Sequence, residues 1–374
     1  MAPGTVDRRV ILGLDTSCYT TSCSLVGPGG GGLLDLRVPL PVAPGERGLR
    51  QGEAVFAHLV RLPALVEQAM DGARRAGWQV QAVAVSSRPR PPQDSYLPVF
   101  RVGEGFARSL AAALGVPLVA VSHQEGHLAA GWEMGLPGTT PNLPRLPDTL
   151  LGLHVSGGTT ELVRLQGGPP WEIASLGTSL DLHAGQFLDR VGVALGLPFP
   201  AGPYLDRLAA EAPGEPEPAA EKGGGAGLPG KGPPAGPEVA IPVTVRGFRP
   251  SFAGPEAAAM RLIGKGTPPA QVARAALLCV ARALEKMVLA ALEAGEPQAV
   301  LVVGGVAAST LVRERLCHRL GHPAVGVRLH FPPPGLCTDN AVGVGRWGWW
   351  EFARVWGGKD LSPQASNSGE DRGG

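Results

Sequence analysis

His123 and His127, in the run Val121-Ser122-His123-Gln124-Glu125-Gly126-His127, are spaced to bind one ion. On a helix, residues four apart stand on one face about one turn from each other, within reach of a single cation. Imidazole suits that task because its ordinary pKa leaves a ring nitrogen lone pair available at neutral pH. The same spacing also suits two partly buried histidines that cap or hydrogen-bond. A metal needs a third ligand from elsewhere in the chain, and Asp339 is the candidate. In Cys337-Thr338-Asp339-Asn340 it opens a helical stretch, where an Asp ordinarily serves as a cap.

Other stretches read as ligand-holding turns. Val10 to Asp15 is a buried strand ending in a carboxylate. Thr16-Ser17-Cys18-Tyr19-Thr20-Thr21 is a small hydroxyl-rich turn, and Ser22 to Val26 is the returning strand. Such a hairpin can hold phosphates through backbone N–H groups and hydroxyls. The plan recurs: Leu150 to Val155 is a strand, Ser156-Gly157-Gly158-Thr159-Thr160 a small turn, and Glu161-Leu162-Val163 the return. Val300 to Val303 runs into Gly304-Gly305-Val306-Ala307-Ala308-Ser309, whose glycines allow close backbone approach to a flat ligand or close strand–helix packing.

The elements that position these turns follow from periodicity. Ala54 to Ala76 is helical, with Leu59, Leu62, Leu65, Val66 and Met70 on a common face and Pro63 predicting a kink or break. Val80 to Ser86 is a strand, Arg88-Pro89-Arg90-Pro91-Pro92 a stiff basic loop, Gly103 to Leu114 a helix, and Pro117 to Val121 a strand. Ala184 to Gly196 is helical, and Pro269 to Glu293 is the most strongly marked helix. Two phosphate-type hairpins, each opening an α/β lobe, imply duplicated lobes around a nucleotide cleft. The lobes are expected over 8–136, carrying the histidine pair, and 148–352, joined through the loop at 137–147. Residues 212–237 read as a flexible Gly/Pro/Glu/Lys insertion and 362–374 as a disordered tail.

Composition narrows the class. A chain of 374 residues with 44% hydrophobic content can bury a large core, and no apolar run is long enough to span a bilayer. A net charge of +1 gives no global case for nucleic acid, so RNA contact would be local, at spots such as Arg74/Arg75, Arg88/Arg90 or Arg246/Arg249. Five cysteines without framework spacing point to a reducing compartment, and the start lacks the features of a signal peptide; the cytoplasm is expected.

The motifs resemble a known family when taken together and in order. These are Gly13-Leu14-Asp15-Thr16-Ser17-Cys18, His123-x-Glu125-Gly126-His127, Ser156-Gly157-Gly158, Ala184-Gly185 with Asp189, and Pro200 to Pro203. Ser251-Phe252-x-Gly254, Gly304-Gly305-Val306 and Cys337-Thr338-Asp339-Asn340 complete the set. The sequence resembles the tRNA threonylcarbamoyladenosine transferases, formerly described as O-sialoglycoprotein endopeptidases, over roughly Val10 to Trp349 outside the insertion.

The resemblance implies the actin/sugar-kinase/chaperone-ATPase fold of two related α/β lobes with a nucleotide and metal cleft between them. It implies transfer of a threonylcarbamoyl group from threonylcarbamoyl-AMP to N6 of the adenosine next to the anticodon in tRNA. It implies that His123, His127 and Asp339 hold one metal, usually iron, with zinc as the alternative. His154, Val155, Ser156, Gly157 and Gly158 would bind the phosphate and acyl group, and Asp189, Gly202 and Asp206 the ribose end. An inactive paralogue and a small ATPase are the implied protein partners, with tRNA as acceptor.

Several positions depart from the family's pattern. Tyr19-Thr20-Thr21 replaces the usual Asp-Glu-Thr, and Arg88-Pro89-Arg90 the Gly-Pro-Gly loop. Thr159 replaces His or Asn, Ser309 an Asn that partners the nucleotide, and Glu256 a Lys. The chain therefore reads as a diverged paralogue. His183, where the family has a small residue, either compensates for the imidazole missing at 159, contacting phosphate or metal, or is an exposed or capping histidine.

Three rival readings accompany the transferase. One is a non-catalytic metal- or nucleotide-binding scaffold. Another is a metallopeptidase, which the position of Glu125 opposes because a zincin places Glu directly after the first His. The last is a sugar-kinase-like ATPase, which shares only the fold.

Overall fold

The structure, a computed structural model, describes residues 7–92, 94–132, 147–212 and 239–356. All of the expected insertion but Ala212, the expected tail, and the 137–147 junction up to 146 lie outside those residues. The chain divides into two compact units. The first comprises Met1–Leu40, Arg50–Leu143 and Asp339–Gly374, and the second Pro41–Leu49 and Pro144–Thr338. The sequence boundaries assign the last helix to the second lobe; its packing assigns it to the first unit.

The first unit is built on β1 (Arg9–Asp15), β2 (Thr20–Val26), β3 (Gly32–Pro39), β4 (Gln79–Arg88) and β5 (Leu118–Ser122). Their order is β3-β2-β1-β4-β5. β1, β2 and β3 are antiparallel neighbours, while β4 and β5 run parallel to β1. Helices α1 (Gln51–Ala76) and α2 (Phe100–Leu114) share a core with Val10, Leu12 and Leu14 on one face of β1. Alternation along a strand then sends Ile11, Gly13 and Asp15 to the opposite face. α3 (His123–Gly131) follows β5 directly.

α1 runs unbroken through Pro63 for 26 residues, so the break that Pro63 offered does not occur. Proline removes one intrahelical hydrogen bond, and burial of Leu62, Leu65, Val66 and Ala69 against the sheet outweighs that loss. The buried stripe also differs from the expected one: His58 lies inward at 0% exposure, while Leu59 is 47% exposed.

The second unit repeats the plan. β6 (Leu150–Val155), β7 (Thr160–Gln166), β8 (Glu172–Thr178), β11 (Ala299–Val303) and β12 (Arg328–His330) are ordered β12-β11-β6-β7-β8, with β9 (Thr244–Arg246) and β10 (Arg249–Ser251) forming a separate ribbon. β6, β7 and β8 are antiparallel, and β11 and β12 run parallel to β6. Reading outwards from the first hairpin, strand order and direction match those of the first unit, as the recurring hairpins imply.

The helices here are α4 (Ala184–Ala194), α5 (Gly202–Ala210), α6 (Ala253–Gly264), α7 (Pro269–Glu293), α8 (Thr310–Leu320) and the short α9 (Pro334–Cys337). α7 is the hydrophobic spine of this core, with Val272, Leu277, Leu284 and Val288 fully buried beside Leu151, Leu153 and Val155. Asp339 begins the return to the first unit, which α10 (Ala341–Trp356) completes. Among the described residues, no helix is long and apolar enough to cross a membrane.

Candidate metal centre and nucleotide hairpin

His123 and His127 occupy the first and fifth positions of α3. Ser122 is its N-cap: Ser122 Oγ accepts from Glu125 N at 3.2 Å, and Glu125 Oε2 accepts from Ser122 N at 2.5 Å. This reciprocal cap starts the helix at His123, so both imidazoles project from its face. It also occupies the Glu125 carboxylate.

Asn340, rather than Asp339, caps α10. Its Oδ1 accepts from Gly343 N at 3.0 Å, which leaves the Asp339 side chain for another role. Asp339 Oδ1 lies 3.4 Å from His123 Nε2 and 3.4 Å from His127 Nε2, and the two Nε2 atoms are 3.1 Å apart. Three lone-pair atoms thus converge from α3 and the segment just before α10. Bonds of about 2.1 Å to one ion place neighbouring ligand atoms about 3.0 Å apart in an octahedral and about 3.4 Å in a tetrahedral arrangement. The observed separations fit that range, and two imidazoles with one carboxylate are donors that suit iron or zinc.

Asp15, at the end of β1 on the α10-facing side, is 1% exposed, and its Oδ2 lies 3.3 Å from His123 Nδ1. A carboxylate on Nδ1 orients the ring and directs Nε2 toward the cluster. Electrostatics agree with a site that wants positive charge. Burial opposes a charged His123, but Asp15 and Asp339 overcome it and hold this imidazole protonated up to about 10. His127 is pushed down by burial and by the neighbouring His123 charge. Burial alone would raise Asp339, yet hydrogen bonds from both histidines hold it far below the carboxylate range.

Two further groups border the cluster without having been selected from the sequence. The Cys18 thiol is raised by burial and by the Asp339 and Asp15 carboxylates. His58, on the inward face of α1, has Nδ1 2.8 Å from Thr21 Oγ1, and Asp15 and Asp339 oppose the lowering that burial imposes on it. The alternation Ile11-Gly13-Asp15 was the available signal for Asp15. For His58 it was the spacing Ala54-His58-Leu62.

In the second unit, the exposed part of the predicted phosphate run is Gly157 and Gly158, with Ser156 half-buried; the His154 and Val155 side chains lie within the core. Ser156 N donates to Thr159 O at 2.7 Å and Gly158 N to Ser156 Oγ at 3.3 Å, closing the turn. The start of α4 packs on it: Gly185 N donates to Ser156 O, and a Cβ on Gly185 would lie 2.6 Å from Gly157 N. Asp189, one turn along α4, has Oδ2 3.8 Å from where a Gly157 Cβ would stand. Its Oδ1 accepts from Ala201 N at 2.7 Å, and burial pushes its pKa up to about 6 against that N–H.

The remaining predicted residues have local partners. Asp206 Oδ1 accepts from Ser309 Oγ at 2.5 Å and Oδ2 from Thr310 N at 2.9 Å, so Asp206 and Ser309 together cap α8. Gly202 opens α5 with free space around its Cα. His183 precedes α4, its Nδ1 2.8 Å from Ser179 Oγ, as a locally bonded histidine would be.

The family model for tRNA N6-adenosine threonylcarbamoyltransferase matches residues 47–345. The chain belongs to this family. A tRNA N6-adenosine threonylcarbamoyltransferase of Thermus thermophilus is 33% identical over 346 residues, covering 91% of this chain and 92% of the relative. One of Moorella thermoacetica is 31% identical, covering 96% and 95%. Among solved structures, HypF of T. kodakarensis aligns with TM-score 0.56 at 15% identity, over 95% of this chain and 50% of that one. Full-length HypF in a phosphate- and nucleotide-bound form aligns with TM-score 0.54 at 13% identity, over 94% and 56%. These likenesses concern the fold, which is the two-lobed actin/sugar-kinase/chaperone-ATPase type.

Two of the positions expected to depart from the family's pattern have local partners. Glu256 pairs with Arg190 Nη1 at 3.1 Å. Arg88 Nε donates to Pro91 O at 3.1 Å within the Arg88–Pro92 loop.

Proposed function

We propose that this protein transfers the threonylcarbamoyl group of threonylcarbamoyl-AMP to N6 of the adenosine next to the anticodon in tRNA, at a site with one divalent metal, iron or zinc. The observation that carries the reading is the convergence of His123 Nε2, His127 Nε2 and Asp339 Oδ1 within 3.4 Å of one another in a chain of this family. Those three residues would hold the ion. A divalent cation there would polarise the carbamoyl carbonyl as a Lewis acid.

The chain's own residues supply position and charge. Asp15 orients His123, and the Asn340 cap leaves Asp339 directed at the cluster. The exposed Gly157–Gly158 turn would take the phosphate, and Asp189 beside it would offer a carboxylate to ribose hydroxyls. In the reaction the adenosine amine attacks the carbonyl carbon. An N–C bond forms, the C–O bond to AMP breaks, and the surplus amine proton passes to solvent. No covalent enzyme nucleophile is needed; catalysis rests on positioning and electrophilic assistance. An inactive paralogue and a small ATPase are the protein partners of this reading.

A metallopeptidase is disfavoured by the capping role of Glu125, whose carboxylate is engaged with Ser122 N. A non-catalytic scaffold is favoured by one observation, the absence of carboxylates at Tyr19 and Thr20. The deciding experiment incubates the purified chain, with and without the two partner proteins, with threonylcarbamoyl-AMP and unmodified tRNA. Mass spectrometry then reads modified adenosine: its appearance supports the transferase, and its absence in every mixture supports the scaffold.

A further inference from the structure

The β1–β2 turn carries a thiol to the His123–Asp339 pair, and the proposed function assigns it no role. A ligand atom from each of Cys18, His123 and Asp339 lies within 4.8 Å of the others. The turn that presents Cys18 is fixed on both sides. Asp15 Oδ1 accepts from Ser17 N at 2.8 Å, Thr16 Oγ1 donates to Val99 O at 2.9 Å and accepts from Gly103 N at 3.1 Å, and Leu40 N donates to Tyr19 O at 2.7 Å. Cys18 itself has φ 46°, the only left-handed non-glycine among the described residues. A backbone held in that region by its surroundings, at a turn that faces a ligand cluster, points to a placed side chain.

We propose that Cys18 binds, as a thiolate, the same divalent metal as His123, His127 and Asp339. The proposal rests on the metal reading of those three residues given above. Two neutral imidazoles, one carboxylate and one thiolate supply two negative charges that balance a divalent cation, and expansion beyond four ligands leaves it a position for the substrate carbonyl. The thiol proton and the proton that Asp15 and Asp339 hold on His123 are both released to solvent on binding. A thiolate is a soft donor, so the site selects zinc or ferrous iron over magnesium or calcium, which take oxygen ligands. Of the five cysteines, Cys18 is the one grouped with other ligand-type side chains among the described residues; Cys23 is buried in the core, Cys279 is buried with Pro242 O as its partner, Cys337 is buried against Arg313, and Cys317 is exposed.

The test titrates metal-stripped full-length protein with Co(II) alone, a spectroscopic probe for such a site. Expected is one equivalent bound with visible d–d bands and a near-ultraviolet thiolate-to-cobalt charge-transfer band. Cys18→Ser and Cys18→Ala, shown folded by circular dichroism, should lose the charge-transfer band. Removing even an outer-shell partner of a metal typically costs ten- to a hundredfold in affinity, so both should bind Co(II) at least about tenfold more weakly. One equivalent bound by wild type and abolished by His127→Ala, but with no charge-transfer band, overturns the Cys18 assignment and leaves the three-ligand reading standing. A band that survives in Cys18→Ser overturns it too. No Co(II) binding by folded wild type overturns both.

Discussion

Gly126 on α3 and Gly343 on α10 meet backbone to backbone: a Cβ on Gly343 would fall inside the radius of the Gly126 carbonyl oxygen. This contact lets the two helices come close enough for Asp339, just before α10, to lie 3.4 Å from both histidines of α3. Overpacking a tight contact costs about 1–3 kcal/mol. Gly343→Ala should therefore lower the melting temperature and also loosen the metal site. Gly105→Ala on α2, where a Cβ meets nothing within 4 Å, should be neutral or stabilising by up to about 1 kcal/mol. Thermal melts and metal analysis of the two variants distinguish a geometric from a general effect.

Asn340→Ala removes the cap of α10 and should cost about 1 kcal/mol, while Asn340→Asp, which keeps the acceptor, should cost much less. Because the cap keeps Asp339 out of that role, Asn340→Ala should weaken metal binding more than a loss of helix stability alone would predict. Chemical denaturation and metal competition on the same samples give the comparison.

Much of this was legible beforehand. Repetition of strand, small turn and strand at Val10 and Leu150 announces two similar sheets, and the His123–His127 spacing announces two imidazoles on one helix face. Asp15 and His58 were harder to see, because their roles depend on which side of a strand or helix turns inward, and a run such as His58-Leu59 leaves that choice to packing. Asp339 looked like a cap because its neighbour Asn340 has the same ability; only the observed hydrogen bond decides between them. Pro63 marked a break that burial of the surrounding face overrode.

Glu125→Gln should leave transfer activity within about twofold of wild type and cost less than about 1 kcal/mol, since Gln can keep the capping box. Loss of activity with an unchanged melting temperature would give Glu125 a chemical role that its capping contacts do not predict.

Asp189 makes stability depend on pH in a defined direction. Its carboxyl keeps a proton up to about 6 in the folded protein, against an ordinary 3.8. Between those values the folded state binds more protons than the unfolded one, so stability falls as pH rises from about 4 to about 6 and stays lower above. A difference of about two pKa units corresponds to at most about 3 kcal/mol. Asp189→Asn, which can still accept from Ala201 N, should therefore raise stability at pH 7–8 and leave it unchanged near pH 3. Urea titrations across that range read the effect. If Asp189 holds the ribose, the same variant should bind adenosine nucleotides more weakly.

The most direct test of the account is a single-turnover reaction of threonylcarbamoyl-AMP and unmodified tRNA, run beside Asp339→Ala and with the two partner proteins present. The account predicts threonylcarbamoyladenosine from wild type and a loss of at least about a hundredfold in Asp339→Ala, a barrier increase of about 2.7 kcal/mol. Equal product from wild type and a folded Asp339→Ala that binds no metal would contradict it.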